Sequence, residues 1–322
     1  MDSSFRIEIQ NRDKRLLLGL FESRIMTLRQ AAALYFEGKH EPAKKRIQKL
    51  KKAGFIAERA RRVSEPAILS LTVAACQYLA KNQFLADYPK LPLTFPGGRR
   101  EVSDLTVHHE LQVMDVKASV AVAIRNTDRY NLAEFATWPR LNEFFAARPT
   151  GKYGQTKVLV KPDGFIRIEK YEPDGWVQEY TFFLEVDRST ETLETLAVRA
   201  ACYGDYFRSG GFAVRNGQSK DAYKEFPFRL LIVCKTAERR NNTIERLLHL
   251  RPPILTMAWL TTTEEMVNNP LGQIWVRPMD YRDAAHTQTD IVPKSFSMPY
   301  RRDQNRENLI EKTVSKKCIF DT

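Results

Sequence analysis

The order of helical and strand-like patterns at the start of the chain leaves few folds open. Apolar residues recur at helical spacing over residues 11–24, and Thr27 with Gln30 has the spacing of a capping box that opens a second helix. A third helical pattern lies over Pro42–Gly54, and two strand-like segments joined by a turn follow it. Three helices and a hairpin in this order predict a winged helix-turn-helix over residues 1–83.

Positive charge is concentrated in the same part of the chain. The net charge is +12, and residues 1–62 contribute +9 of it, with 16 Lys or Arg against 7 Asp or Glu. We expect the third helix to enter the major groove of double-stranded DNA and the hairpin bases to contact flanking phosphates. Because lysine contacts phosphate but carries little sequence information, the pattern supports affinity better than specificity. The predicted DNA-binding residues are Lys44, Lys45, Gln48, Lys49, Lys51, Lys52, Arg59, Arg61 and Arg62.

The rest of the chain reads as a second domain of a different type. Residues 84–103 hold three prolines and a Gly-Gly pair, which is typical of a linker. The patterns over residues 104–282 predict an α/β domain with a mixed sheet. Their order is a helix, a further helix or turn over residues 133–148, three strands in a meander, and then helix, strand, helix and strand. The basic residues 283–322 are predicted to form an extended C-terminal arm. The whole chain is therefore expected to be α+β.

Three carboxylates fall at the ends of the predicted meander strands. Asp163 begins one strand, and Glu185 and Asp187 lie two residues apart at the end of another, so both project from one face. Oxygen ligands of this kind suit Mg²⁺ or Mn²⁺, which can activate water against a phosphodiester. Asp163, Glu185 and Asp187 are thus candidate catalytic residues, and Asp163, Glu185 and Glu110 are candidate metal ligands.

Structural roles for the same carboxylates stay open. An aspartate before a glycine, as at Asp163, is also typical of a turn. Glu185 and Asp187 are equally suited to salt bridges with bases such as Arg188 or Arg199.

The Pro162-Asp163 pair followed by Glu185-Val186-Asp187 resembles the core of the PD-(D/E)xK nucleases. That family carries a lysine where this chain has Asp187, and the lysine is thought to orient or activate the attacking water. From Arg12 to Tyr206 the chain also resembles the replication-relaxation family of plasmid and mobile-element proteins, on the helix-turn-helix, the Pro-Asp pair and the segment Phe183–Thr190. The resemblance implies DNA binding in plasmid replication or transfer and does not establish catalysis.

Three functions follow from these features. The first is a DNA-binding protein of a mobile element, whose nuclease-like domain lacks the catalytic lysine and needs no cofactor for binding. The second is an active endonuclease dependent on Mg²⁺ or Mn²⁺, and the third is a transcriptional repressor. The expected partners are double-stranded DNA and replication or transfer proteins, and a homodimer stays open. The chain has no CxxC motif, no apolar run of membrane-spanning length and no signal-peptide pattern, so we expect a cytoplasmic protein without a membrane partner.

Overall fold

The protein is described by a computed structural model over residues 7–59, 65–88, 103–140, 142–150, 154–289 and 314–321. The chain folds into two compact units. The first, which we call the helical unit, comprises Met1–Asp128 and Phe135–Leu141. The second, the sheet unit, comprises Arg129–Glu134 and Asn142–Thr322. None of the helices in these described ranges is long and apolar enough to cross a membrane.

Helices dominate the first unit, and a small antiparallel sheet with strand order β1-β3-β2 joins them. The predicted start of the second helix is confirmed by its cap, because the Thr27 side chain accepts a hydrogen bond from the first turn. Thr72 and Ser103 cap two further helices in the same way. The elements are α1 Asn11–Ser23, β1 Ile25–Thr27, α2 Leu28–Tyr35, α3 His40–Lys52, β2 Ile56–Glu58, β3 Ile68–Leu71, α4 Val73–Lys81 and α5 Asp104–Arg125.

The helix α5 packs with the helical unit, although the sequence pattern placed it at the start of the second domain. Its Met114 and Ala118 belong to the same buried core as the apolar residues of α1 and α3. The side-chain amide of Gln30 donates to the carbonyl oxygen of Leu111 at 2.8 Å and to Asp115 at 2.7 Å, which ties α2 to α5. The residue that completes the capping box thus also makes a long-range tertiary contact.

The sheet unit contains a five-stranded sheet in the order β10-β9-β8-β7-β4 and a separate two-stranded ribbon, β5-β6. β8, β9 and β10 are parallel and β7 is antiparallel to β8, so the predicted mixed sheet is confirmed. The elements are β4 Tyr130–Ala136, β5 Phe144–Thr150, β6 Gly154–Val160, β7 Gly164–Tyr171, β8 Val177–Asp187, α6 Leu193–Arg208, α7 Gly211–Arg215, a 3-10 helix Lys220–Glu225, β9 Arg229–Cys234, α8 Ala237–Leu248, β10 Ala258–Thr262, α9 Thr263–Asn268 and α10 Pro278–Thr289.

Two strand assignments from the sequence are wrong. Residues 133–148, predicted as a helix or turn, contribute to strands β4 and β5, which lie beside β7 and β6 respectively. The predicted meander is also different: β6 pairs antiparallel with β5, and β7 has β4 and β8 as its neighbours. The segment Ile274–Val276 makes only isolated bridges, among them one from Val276 to Leu260.

The described end of the C-terminal arm is not extended away from the domain. Lys317 bridges to Trp275, and the Phe320 ring stacks on Tyr130 with centroids 4.2 Å apart. Ile319 and Phe320 are buried, and Arg229 donates to the carbonyl oxygen of Ile319. The arm also begins within α10, and its residues 290–313 lie outside the described ranges.

Candidate nucleic-acid interface and acidic site

One side of α3 is apolar and the other is positively charged. Ala43, Ile47 and Leu50 are buried in the core of the helical unit. On the opposite side, residues three or four apart form an exposed stripe that we call the basic face. The basic face consists of Lys44, Lys45, Gln48, Lys49 and Lys52.

The other predicted DNA-binding residues are not part of the basic face. Lys51 is only partly exposed and its ammonium lies 2.5 Å from Glu58, so it joins α3 to β2. Arg59 is paired with Asp104 at 2.8 Å. Arg61 and Arg62 fall outside the described residues. The structure therefore brings five of the nine predicted residues together on one solvent-facing surface.

Arg46 explains how the basic helix is held in place. Its guanidinium binds Asp13 of α1, which is fully buried, with Nε 2.9 Å from Oδ1. The Asp13 side chain also accepts from the Gln10 backbone N–H at 2.8 Å, so it caps α1 while it pairs with α3. This buried ion pair fixes α3 against α1 and leaves the lysines of the basic face free of that structural role.

Asp163 acts first as a strand-end residue. Its backbone N–H donates to the carbonyl oxygen of Leu184 at 3.0 Å, and its carboxylate accepts from the Val186 backbone N–H at 2.8 Å. These two bonds join the chain just before β7 to the end of β8. They also place the negative charge of Asp163 near Glu185.

Glu185 lies in a buried network with α6. Only 2% of the residue is exposed, and its carboxylate accepts from the Tyr203 hydroxyl at 2.5 Å and from Arg199 at 3.0 Å. Arg199 in turn holds Glu191 at 2.7 and 2.9 Å. Burial, followed by the negative charge of Asp163, raises the pKa of Glu185 to about 7 despite the opposing effects of Arg199 and Tyr203.

Asp187 is paired with a cation from another helix. Arg239 at the start of α8 donates to its two carboxylate oxygens at 2.6 and 3.2 Å. The Ser189 backbone N–H adds a third bond at 3.0 Å. The hydrogen bond to Asp187 also raises the pKa of the Arg239 guanidinium. Glu185 and Asp187 thus each bind one helix, α6 and α8.

The side chains present do not fit a Mg²⁺ or Mn²⁺ site as they are arranged. Across the described ranges, no group of three or more His, Cys, Asp or Glu residues is placed to hold a metal ion. Glu110, the further candidate ligand, forms an ion pair at 2.7 Å with Arg24 inside the helical unit. The carboxylates of Glu185 and Asp187 face guanidinium groups, where a cation would meet repulsion.

The sequence predicts Arg199 as a salt-bridge partner of these carboxylates, but it gives no prediction for Arg239. Arg239 lies in the first turn of the helix that follows β9. Because β8 and β9 are parallel, the chain leaves both at the same edge of the sheet, and Cys234 pairs directly with Asp187. Residues that follow parallel strands lie at the same edge of a sheet. Applied to the apolar segment 229–234, this rule would have placed Arg239 near Asp187.

A helical unit with a basic face, followed by a sheet unit with a buried acid–arginine network, defines a two-unit α+β protein. The family model for replication-relaxation matches residues 17–220. The chain therefore belongs to the replication-relaxation family, which points to a replication-related protein of a mobile element. No curated protein and no solved structure matches it.

Proposed function

We propose that this protein binds double-stranded DNA through the basic face of α3 and acts in the replication or transfer of a mobile element. The observation that carries the proposal is the exposed stripe of four lysines and one glutamine, backed by a buried apolar stripe. Lysines in this position neutralise phosphates and release counterions, which gives affinity for any duplex. A cofactor is not required for this binding.

The topology around α3 supports this assignment. The order α1-β1-α2-α3-β2-β3, with a sheet ordered β1-β3-β2, is the order expected of a winged helix-turn-helix. In that arrangement α3 is the recognition helix, and the β2-β3 connection is the wing that reaches the flanking backbone. Arg59, at the start of this connection, precedes Arg61 and Arg62 of the sequence.

We further propose that the sheet unit is a scaffold related to a nuclease rather than an active nuclease. Asp187 replaces the lysine of the resembled motif, and Arg239 neutralises it. Glu185 is occupied by Arg199 and Tyr203. In this role the carboxylates stabilise the sheet edge and take no part in phosphodiester chemistry.

The binding proposal is tested with a fluorescently labelled mixed-sequence duplex and the variant K45A/K49A/K52A. We expect weaker binding and a smaller salt dependence. Each phosphate contact contributes about 0.9 to the slope of log K against log salt, so three lost contacts reduce that slope by about 2.7. An unchanged affinity and slope would refute a role for the basic face.

The matched control removes three exposed lysines elsewhere, in the variant K81A/K220A/K224A. It has the same net charge as the test variant, so a non-specific charge effect would weaken both equally. Preserved binding in the control locates the interface on α3. Tight binding confined to one short palindromic duplex would instead favour the transcriptional repressor.

The scaffold proposal is tested by incubating supercoiled plasmid with Mg²⁺ or Mn²⁺ and following nicked product on a gel. We expect no nicking by the wild type. Metal-dependent nicking that the variant D163A/E185A abolishes, while still shifting duplex DNA, would establish the endonuclease alternative and refute the scaffold role.

A further inference from the structure

The ribbon β5-β6 is anchored to the sheet unit by one of its faces. Phe144 is buried and stacks on Tyr206 of α6, with ring centroids 4.0 Å apart. The Ala147 backbone N–H donates to the Asp205 carboxylate at 2.9 Å. Ala146 and Val160 are also buried, so one face of the ribbon is covered by the sheet unit, and β5 holds it on α6.

The opposite face of the ribbon carries an exposed aromatic and apolar pair. Phe145 is 57% exposed and Leu159, which pairs with it across the strands, is 42% exposed. The neighbouring Lys157 is exposed, and its ammonium lies 4.6 Å from the centroid of the Phe145 ring. An apolar face of this kind is not explained by packing within the sheet unit as described.

The charge of the ribbon selects a polyanionic ligand. Residues 144–150 and 154–161 contain three basic residues, Arg148, Lys157 and Lys161, and no acidic residue. Lys161 has Glu143 at 3.9 Å, at the outer limit of an ion pair. An exposed aromatic ring beside lysines suits a ligand that presents both flat π-faces and phosphates.

Building on the proposed DNA-binding function, we propose that the outer face of the β5-β6 ribbon binds single-stranded DNA. An unpaired base stacks on the Phe145 ring and displaces the Lys157 ammonium, which moves to the adjacent phosphate. Leu159 extends the apolar surface under the base. A duplex does not offer this contact, because its base faces are already stacked on one another.

The test is fluorescence anisotropy with a short fluorescein-labelled oligothymidylate at low salt. Stacking measured by alanine substitution corresponds to a loss of about 5-fold to about 150-fold in affinity, which we expect for F145A. F145W should restore binding, and K157A should weaken it and lower its salt dependence. W176A is the matched control, because Trp176 is 62% exposed but belongs to a turn with Asp174 and should not contribute.

The same variants are measured with duplex DNA, so that this proposal and the basic-face proposal can fail separately. We expect F145A to leave duplex affinity unchanged and K45A/K49A/K52A to lower it. Unaltered oligothymidylate binding by F145A overturns the ribbon proposal. If F145A and K45A/K49A/K52A each lose affinity for both the oligothymidylate and the duplex, the ribbon proposal is also overturned, because a single surface that binds both DNA forms would explain the data. Duplex affinity that is unchanged in K45A/K49A/K52A refutes only the proposal that the basic face binds DNA.

Self-association is the remaining alternative occupant of this face. The molar masses of the wild type and F145A, measured by light scattering, distinguish self-association from binding of single-stranded DNA. A wild-type dimer that F145A converts to monomer would make the face an interface between copies of the chain and overturn the proposal. A common mass for both proteins, together with the loss of oligothymidylate binding, supports it.

Discussion

Glu185 makes the stability of the sheet unit dependent on pH in a direction that can be calculated. The pKa of its carboxyl rises from 4.5 to about 7 on folding, mainly because the side chain is buried. Ionisation of a carboxyl with a raised folded-state pKa favours the unfolded state. Below pH 4.5 the carboxyl is protonated in both states and has no effect on stability, and the destabilisation grows as the pH rises from 4.5 toward 7.

The substitution Glu185→Gln isolates this effect, since glutamine keeps the shape but does not ionise. A shift from 4.5 to about 7 corresponds to about 3 kcal/mol in the free energy of unfolding. We therefore expect the stability of the wild type minus that of E185Q to fall by about 3 kcal/mol between pH 4.5 and pH 8. Any hydrogen bond lost in the variant adds an offset that does not depend on pH.

The assay is urea unfolding of both proteins at several pH values, followed by circular dichroism. Glu264→Gln, which removes an exposed carboxylate of α9, is the control for a change of one unit in net charge. A difference that stays flat with pH would show that Glu185 does not titrate in this range. A difference that increases with pH would show that Arg199 outweighs burial, and the reasoning would be refuted.

Three further substitutions test local features by urea unfolding. Thr27→Ala removes the cap of α2 and should lower stability by about 1 kcal/mol; an unchanged midpoint would contradict the capping role. Arg239→Met leaves Asp187 buried without its cation and should cost about 3–5 kcal/mol, with Asp187→Asn in the same chain recovering part of the loss. Gly210 has φ +72°, and a Cβ there would lie 2.3 Å from the Lys220 carbonyl oxygen, so Gly210→Ala should cost more than about 1 kcal/mol.

Features set by neighbours in sequence were predictable here. Thr27 and Gln30 are three residues apart, and their reciprocal bonds at 3.2 and 2.8 Å require no other element. The alternation that puts Glu185 and Asp187 on one face is equally local, and both do bind the helices packed on that face.

Features that depend on partners distant in sequence could not be predicted from the local pattern. The two ends of the segment 133–148 belong to strands because β4 lies beside β7 and β5 pairs with β6, and neither partner is visible in the local pattern. Phe320 is buried against Tyr130 from the other end of the sheet unit, and the residues next to it in sequence do not identify that partner. Arg239 needed the parallel pairing of β8 with β9 before it could be placed beside Asp187.

The carboxylates of the acidic site bind side chains of two helices. Glu185 binds Tyr203 and Arg199 of α6, and Asp187 binds Arg239 of α8, so each carboxylate fastens one helix to the end of β8. A divalent cation would have to displace the guanidinium groups, and both helices would lose their anchors. The same bonds that tie α6 and α8 to this edge of the sheet therefore oppose metal binding, and they give both carboxylates a structural role.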